Sequence, residues 1–292
     1  MVIVDGPGPL YILSPHLDDA VLAVGALIGR RTAARRSVHV ISVYSDGPPP
    51  TTLRGRRRVF GDYGVRRGED DRALALLGAD RSRMGLRERL FRNPPLARPI
   101  QVFRTPSSVA GFGELDTIES GIREVLADPV VTMLAPLGIG NHVDHVEVSV
   151  AAMRAAIGTD ATDRIAFYEE FYAISERCRR RHPVSATAPF PWPSAPGWSA
   201  PRAGLAIEAV SWAARGPASS DFLGLSPTDG DHHTWTAQVV PVGGHEQAKI
   251  AAIGQYRSQT AMLGGLNRLA AMIRRSHARR GGELLWHLVP PR

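Results

Sequence analysis

Short apolar runs alternate with stretches of helical spacing through the first half of the chain. Leu10-Tyr11-Ile12-Leu13-Ser14 predicts a strand, and residues 20–34 follow it with helical periodicity. Val38-His39-Val40-Ile41-Ser42-Val43 predicts a second strand, closed by the turn-rich Ser45-Asp46-Gly47-Pro48-Pro49-Pro50. Residues 48–64, rich in Pro, Arg and Gly, predict a surface loop. Residues 66–77 predict a helix with Ala73, Leu74, Leu76 and Leu77 apolar and Gly78 as its C-terminal cap. Residues 87–113 carry little periodicity. An amphipathic helix is predicted over 115–127, a buried strand over 130–135, a helix over 144–157 and a strand over 165–168. This alternation predicts an α/β fold: a Rossmann-like, mainly parallel sheet flanked by helices.

The pattern changes near residue 183. Pro183, Pro189, Pro191, Pro193, Pro196 and Pro201, with Trp192 and Trp198 among them, predict a loop or extended insertion. Residues 246–273 predict a mostly helical C-terminal segment, interrupted near Gly264-Gly265. The expected organisation is one domain over residues 1–292, with a core of about 9–170 and 235–292 and an insertion of about 180–235.

Composition narrows the class. A chain of 292 residues that is 43% hydrophobic can bury a sizeable core. No stretch approaches the roughly 18 consecutive apolar residues of a membrane span, and Met1-Val2-Ile3-Val4-Asp5-Gly6 lacks the pattern of a secretion signal. Cys178 is the sole cysteine, which excludes an internal disulfide and makes a reducing cytoplasm the expected location. The net charge of +7 is carried almost entirely by arginine, Lys249 being the one lysine. Basic clusters at 54–58, 177–181 and 274–280 lack interleaved aromatic residues, so they read as solvated faces, and nucleic acid is not the expected partner. Oligomeric state is left open.

Two His/Asp clusters carry the chemistry. Pro15-His16-Leu17-Asp18-Asp19 follows the first strand, and His142-Val143-Asp144-His145 follows the strand at 130–135. Alone, paired aspartates at a helix start read as caps of free N–H groups, and two histidines three apart read as a solvated turn. Together they offer two imidazoles and a carboxylate to one divalent metal, with a second carboxylate beside it. In a doubly wound sheet of order 3-2-1-4-5, strands one and four are neighbours, and the crevice at their C-terminal ends is the usual ligand site. On that topology His16, Asp19 and His145 converge.

The two clusters in this order resemble the PIG-L/LmbE family of zinc-dependent N-acetylglucosaminyl deacetylases. Arg66-Arg67-Gly68-Glu69 before residues 73–78, and Lys249 with Tyr256-Arg257-Ser258-Gln259, resemble further family segments. The resemblance covers roughly residues 9–170 and 245–260. It implies His16, Asp19 and His145 as zinc ligands, Asp18 as general base, and His142 as the group that stabilises the oxyanion or protonates the leaving amine. It further implies Asp144 as support for His142, and Arg67 as a substrate-holding residue, with the register between Arg66 and Arg67 open. Some members carry an aromatic residue two positions before the first histidine of the second motif, where this chain has Gly140. Any such role must then be absent or come from elsewhere, His232, His233 and His245 being candidates.

Three protein ligands leave a position for water, as in catalytic rather than structural zinc sites. The implied activity is removal of an acetyl or other acyl group from the nitrogen of an amino sugar or glycoconjugate, including a glycosylated specialised metabolite. Iron(II) or another divalent metal could use the same ligands, as in the two-His-one-carboxylate set of iron oxygenases. The reading from another class is a basic nucleic-acid-binding protein with a vestigial site.

Overall fold

The structure, a computed structural model, describes residues 3–55, 61–106, 108–186 and 234–289. Trp192, Trp198, His232, His233 and most of the expected insertion lie outside the described residues. Strands β1 (Leu10–Ser14), β2 (Val38–Ser42), β3 (Asp80–Arg83), β4 (Thr132–Pro136), β5 (Ile165–Tyr168), β6 (Thr234–Val240) and β7 (Glu283–Val289) form one sheet of order β3-β2-β1-β4-β5-β7-β6. The first five are parallel; β7 runs antiparallel to β5, and β6 antiparallel to β7. Leu10 of β1 aligns with Val38 of β2 on one side and Thr132 of β4 on the other. The two strands that precede the His/Asp clusters are therefore adjacent.

Both faces of the sheet are covered, and the strand period of two divides the core. Leu10, Ile12, Val38, Val40, Leu134 and Tyr168 face one layer, built from helices α1 (Asp19–Ala33), α2 (Tyr63–Leu76), α6 (Glu246–Ile253) and α8 (Leu266–Arg280). Leu13, Ile41, Met133, Ala135, Ile165 and Phe167 face the other, built from α3 (Leu115–Leu126) and α4 (Val143–Gly158). Two further short helices are α5 (Glu176–Arg181) and α7 (Arg257–Met262). Gly264 and Gly265, at φ 90° and 92°, make the expected interruption before α8. No helix among the described residues is long and apolar enough to cross a membrane.

The chain departs from its sequence pattern at the sheet edges. Strand β3 is Asp80-Arg81-Ser82-Arg83, an exposed or half-exposed run without apolar periodicity, positioned by pairing with β2. The C-terminal segment is not only helical: it returns to the sheet as β7, which buries Leu285 and Trp286 completely beside β5. A buried polar knot secures that strand. The Glu169 carboxylate accepts from Arg179 Nε (3.1 and 3.2 Å), Arg280 Nη1 (3.1 Å) and Trp286 Nε1 (3.0 Å).

Two segments remote in sequence dock here. Glu69 accepts from the Ser258 backbone N–H (3.0 Å) and hydroxyl (2.6 Å), and Asp70 accepts from the Tyr256 hydroxyl (2.9 Å). Several arginines are also internal. Arg31 donates to the carbonyls of Val4, Gly6 and Gly8, and Arg31, Arg66, Arg179 and Arg280 are all buried, so part of the positive charge braces the interior.

His182 braces the chain after β4, its Nε2 lying 3.0 Å from the Leu137 carbonyl. Burial lowers its pKa to about 4. The unfolded chain takes up a proton near pH 6.5 that the folded chain refuses until about 4. The stabilisation is thus present above about pH 6.5 and lost as pH falls towards 4, at no more than about 1.4 kcal/mol per pH unit. Urea unfolding of the wild type and His182→Gln between those pH values is expected to show the shallower slope in the variant. Glu169→Ala is expected to lower stability by about 3–5 kcal/mol in the same assay, the cost of removing one partner from a buried ion cluster.

Candidate metal centre

The ends of β1 and β4 deliver the functional side chains. After β1, the chain passes through His16, Leu17 and Asp18 into α1. Asp18 occupies the N-cap position, but its side chain makes no capping bond. The Ser14 hydroxyl accepts the Ala20 N–H instead (3.0 Å), which leaves both aspartate carboxylates for the crevice. After β4, Gly138 and Gly140 adopt φ of 90° and 92°, and the Glu170 carboxylate accepts the backbone N–H groups of Gly138 and Ile139. This turn ends at His142, the N-cap of α4, and one helical turn brings His145 to the same side.

Three donor atoms meet. His16 Nδ1 lies 3.1 Å from Asp19 Oδ2 and 3.3 Å from His145 Nε2, and the last two atoms are 3.2 Å apart. Ligand bonds of about 2.0–2.1 Å in a tetrahedron put neighbouring donors about 3.3 Å apart. The three atoms therefore form one face of a tetrahedral site. A second grouping brings donors of His16, Glu88, His142 and Asp144 within 4.8 Å of one another. There, however, Asp144 is engaged by the Arg92 guanidinium and the Arg89 backbone N–H, and Glu88 by the Tyr63 hydroxyl and Arg66. Donors of His16, His142 and His145 also lie within 4.8 Å of one another, and the His16–Asp19–His145 atoms have the separations of one tetrahedral face.

Asp144 orients this face. Its Oδ2 lies 3.1 Å from His16 Nε2, so a proton on Nε2 leaves the Nδ1 lone pair turned towards Asp19 and His145. The hydrogen bond from His16, with His142 and Arg92 nearby, outweighs burial and lowers the Asp144 pKa to about 2. Burial works to lower the His145 pKa, but Asp19 and Glu170 overcome it and raise it to about 9. With the raised pKa of His16, the His145 shift reflects a local field that favours positive charge at these two histidines.

Asp18 sits beside the face rather than in it. Burial and the neighbouring Asp19 raise its pKa to about 6, against the Arg66 guanidinium 3.7 Å away. Arg66 is itself held by Glu88 (3.3 Å) and lies over the Tyr63 ring, 4.7 Å from its centroid. His142 is buried, and its Nδ1 has no hydrogen-bond partner among the described residues. Burial, with His16 nearby, holds its pKa well below 6.5.

Three site residues occupy places the motifs alone did not indicate. Arg67 turns away from the crevice to the Ser45 carbonyl (3.1 Å) and Asp46 (3.4 Å), whereas Arg66 lines it. Asp144 bonds His16 rather than supporting His142. The space above Gly140 holds Tyr172: a Cβ at position 140 would lie 3.0 Å from the Tyr172 Cβ and Cγ. The Tyr172 ring stacks at 10° on His142. His245 lies instead near Gly29, in the C-terminal half of α1. Sequence reading also passed over Glu88, Arg92, Glu170 and Tyr172, because none belongs to a His/Asp motif and the first two fall in the aperiodic stretch.

The crevice has a volume of about 380 Å³. His16, Asp18, Asp19 and His142 lie on its floor with Arg66 and Gln259 beside them, and Leu90, Pro99, Ile100, Val102, Phe103, Met262 and Leu263 supply an apolar wall. Gln259 comes from the segment that Glu69 anchors through Ser258.

The fold has known counterparts. No curated protein matches the sequence. Among solved structures, the zinc-inhibited form of the teicoplanin deacetylase Orf2 is 21% identical, with a TM-score of 0.63 over 96% of this chain and 98% of that one. The A40926 pseudoaglycone deacetylase Dbv21 is 20% identical, with a TM-score of 0.62 over 98% and 99%. The N,N'-diacetylchitobiose deacetylase of Pyrococcus horikoshii is 14% identical, with a TM-score of 0.50 over 98% and 85%. These likenesses establish the fold. The model of the PIG-L family, described as GlcNAc-PI de-N-acetylase, matches residues 11–156, half of the sequence. Both His/Asp turns fall inside that match, and the chain belongs to the PIG-L family.

Proposed function

We propose that this protein is a zinc-dependent N-deacetylase that hydrolyses the amide of an N-acylated amino sugar. The observation that carries the reading is the His16–Asp19–His145 face, with donor separations of 3.1–3.3 Å, whose His16 and Asp19 line the crevice beside a carboxylate freed from capping. His16 Nδ1, Asp19 Oδ2 and His145 Nε2 would hold the ion. When bound, zinc polarises the amide carbonyl and lowers the pKa of a coordinated water towards about 7.

The remaining steps belong to the side chains. Asp18 takes a proton from the attacking water as the new C–O bond forms. It returns that proton to the departing nitrogen as the C–N bond breaks, giving the carboxylic acid and the free amine, which exchange the remaining proton to leave a carboxylate and an ammonium. Arg66, 3.7 Å from Asp18, orients the carboxylate for both transfers. His142, neutral through burial, offers an imidazole N–H to the carbonyl oxygen as charge develops there. Tyr172 and Phe103 pack around that ring and exclude water. Asp144 keeps His16 in the ligating tautomer.

The apolar wall of the crevice supports a substrate with more than a bare sugar, such as a glycosylated specialised metabolite. Solved relatives described as deacetylases of teicoplanin and of diacetylchitobiose make acyl release from amino-sugar conjugates the screen to begin with. The same reading treats the chain as one domain with an insertion at about 180–235, located in the cytoplasm.

Acyl release and metal content in the same preparations test this reading. Asp18→Asn is expected to lower kcat by about 10²–10⁴ while retaining the metal. His145→Ala is expected to lose the metal, and bound iron in place of zinc would redirect the assignment. Full turnover by Asp18→Asn would remove Asp18 as the base. Arg66→Met is expected to lower kcat by at least about tenfold, because it removes the partner that orients the base. Arg67→Met is expected to stay within about twofold of wild type, as for most surface changes away from a site.

A further inference from the structure

Lys249 is the one lysine among 35 Lys and Arg residues, and it is buried. It reaches into a break in α1. Val24, at φ −122° and ψ 26°, interrupts that helix one turn after Asp19. In an unbroken helix the Leu27 N–H would donate to the Ala23 carbonyl. Here the Ala23 carbonyl accepts instead from Lys249 Nζ (2.9 Å), while the Leu27 and Ala26 N–H groups donate to the two oxygens of Glu283 (2.8 and 2.9 Å). Lys249 and Glu283 pair at 2.7 Å, both fully buried. One ion pair thus supplies a cation to the C-terminal end of the first turn and an anion to the N-terminal start of the second. Each is the sign that a helix end favours.

The slot is cut for lysine. A Cβ on Gly25 would lie 2.9 Å from Lys249 Cγ and 3.4 Å from its Cβ, so only glycine lets the stem pass. The ammonium also lies 3.4 Å from His277 Nε2, whose Nδ1 is 2.8 Å from Glu246 and can donate to it, leaving Nε2 as an acceptor. These three partners match the three donors of an ammonium, whereas a guanidinium would bring five in a planar fork. What the break sets free is the single turn Asp19–Ala23, which carries one metal-facing carboxylate and adjoins the other. Leu22, on that turn, touches the crevice on one side and the polar chamber around Lys249 on the other.

We propose that Lys249 and Glu283 are positioning residues of the metal centre: by stapling the broken helix they set the tilt of the first turn, and so hold Asp18 and Asp19 against His16 and His145. The proposal rests on the metal-dependent reading above.

Cobalt(II) titration of the full chain, followed by visible absorption, tests it without recourse to activity. Circular dichroism and thermal unfolding identify which variants are folded. Lys249→Met and Glu283→Gln are expected to bind cobalt about 10–100-fold more weakly, the usual cost of losing support behind a ligand, with an altered ligand-field spectrum. Lys249→Arg is expected not to restore either, since the slot rejects the fork. Gly25→Ala keeps both charges and displaces only the stem, so it serves if the charge variants do not fold. It is expected to weaken cobalt binding at least about threefold, a few tenths of the way to the loss expected for the charge variants. Wild-type affinity and spectrum in any folded variant among Lys249→Met, Glu283→Gln or Gly25→Ala would overturn the proposal. Failure of the unaltered chain to bind cobalt would overturn the metal reading and this inference with it.

Discussion

The structure is organised by an excess of buried negative charge where β1 and β4 end. Asp18, Asp19, Glu88, Asp144, Glu147 and Glu170 are all buried within this region, and among the described residues the guanidiniums of Arg66 and Arg92 pair with them. Removing carboxylates from water without compensation costs several kcal/mol each. Part of the debt is met by backbone N–H groups: Gly138 and Ile139 for Glu170, Glu114 for Glu147, Arg89 for Asp144 and His16 for Asp19. The rest falls on the two histidines, whose pKa values are raised despite burial. A divalent cation on the proposed His16–Asp19–His145 face would answer the same demand.

That demand explains why so many elements converge on a small space. A cation-binding face is useful only if its donors hold their separations without the ion, and each donor here has a support. Asp144 fixes the ring of His16, the His16 backbone N–H holds Asp19 (2.8 Å), and Glu170 approaches His145 Nδ1 at 3.6 Å, long for a hydrogen bond but close for a charge. Support reaches further through the C-terminal segment. It returns to the sheet as β7, places Glu283 and Lys249 in the break of α1, and lays Gln259 at the rim of the crevice.

Much of the fold was legible from apolar periodicity because both faces of a parallel sheet are covered and its strands are short apolar runs. The polar edge β3 was not, since an edge strand answers to backbone pairing and carries no required side-chain pattern. The site was legible to the extent that its residues are close in sequence. The residues proposed as ligands lie in two motifs, but Arg66 and Arg67 differ by about 100° of helix rotation, and no composition or spacing shows which one faces inward. Tyr172 was hidden for a related reason. Its ring fills the space above Gly140 from a different strand end, so the glycine recorded an absence without recording what occupies it.

The sequence by itself determined the alternation of strands and helices, the two His/Asp turns and the family to which they belong, because each of these is written in residues within a few positions of one another. Only the tertiary structure decided which nitrogen of His16 faces Asp19 and His145, which arginine meets Asp18, and how the single lysine enters the broken helix. Those choices are set by distances of 2.9–3.7 Å between groups more than a hundred residues apart for His16 with Asp144 and for Lys249 with Ala23, and nearly fifty apart for Arg66 with Asp18.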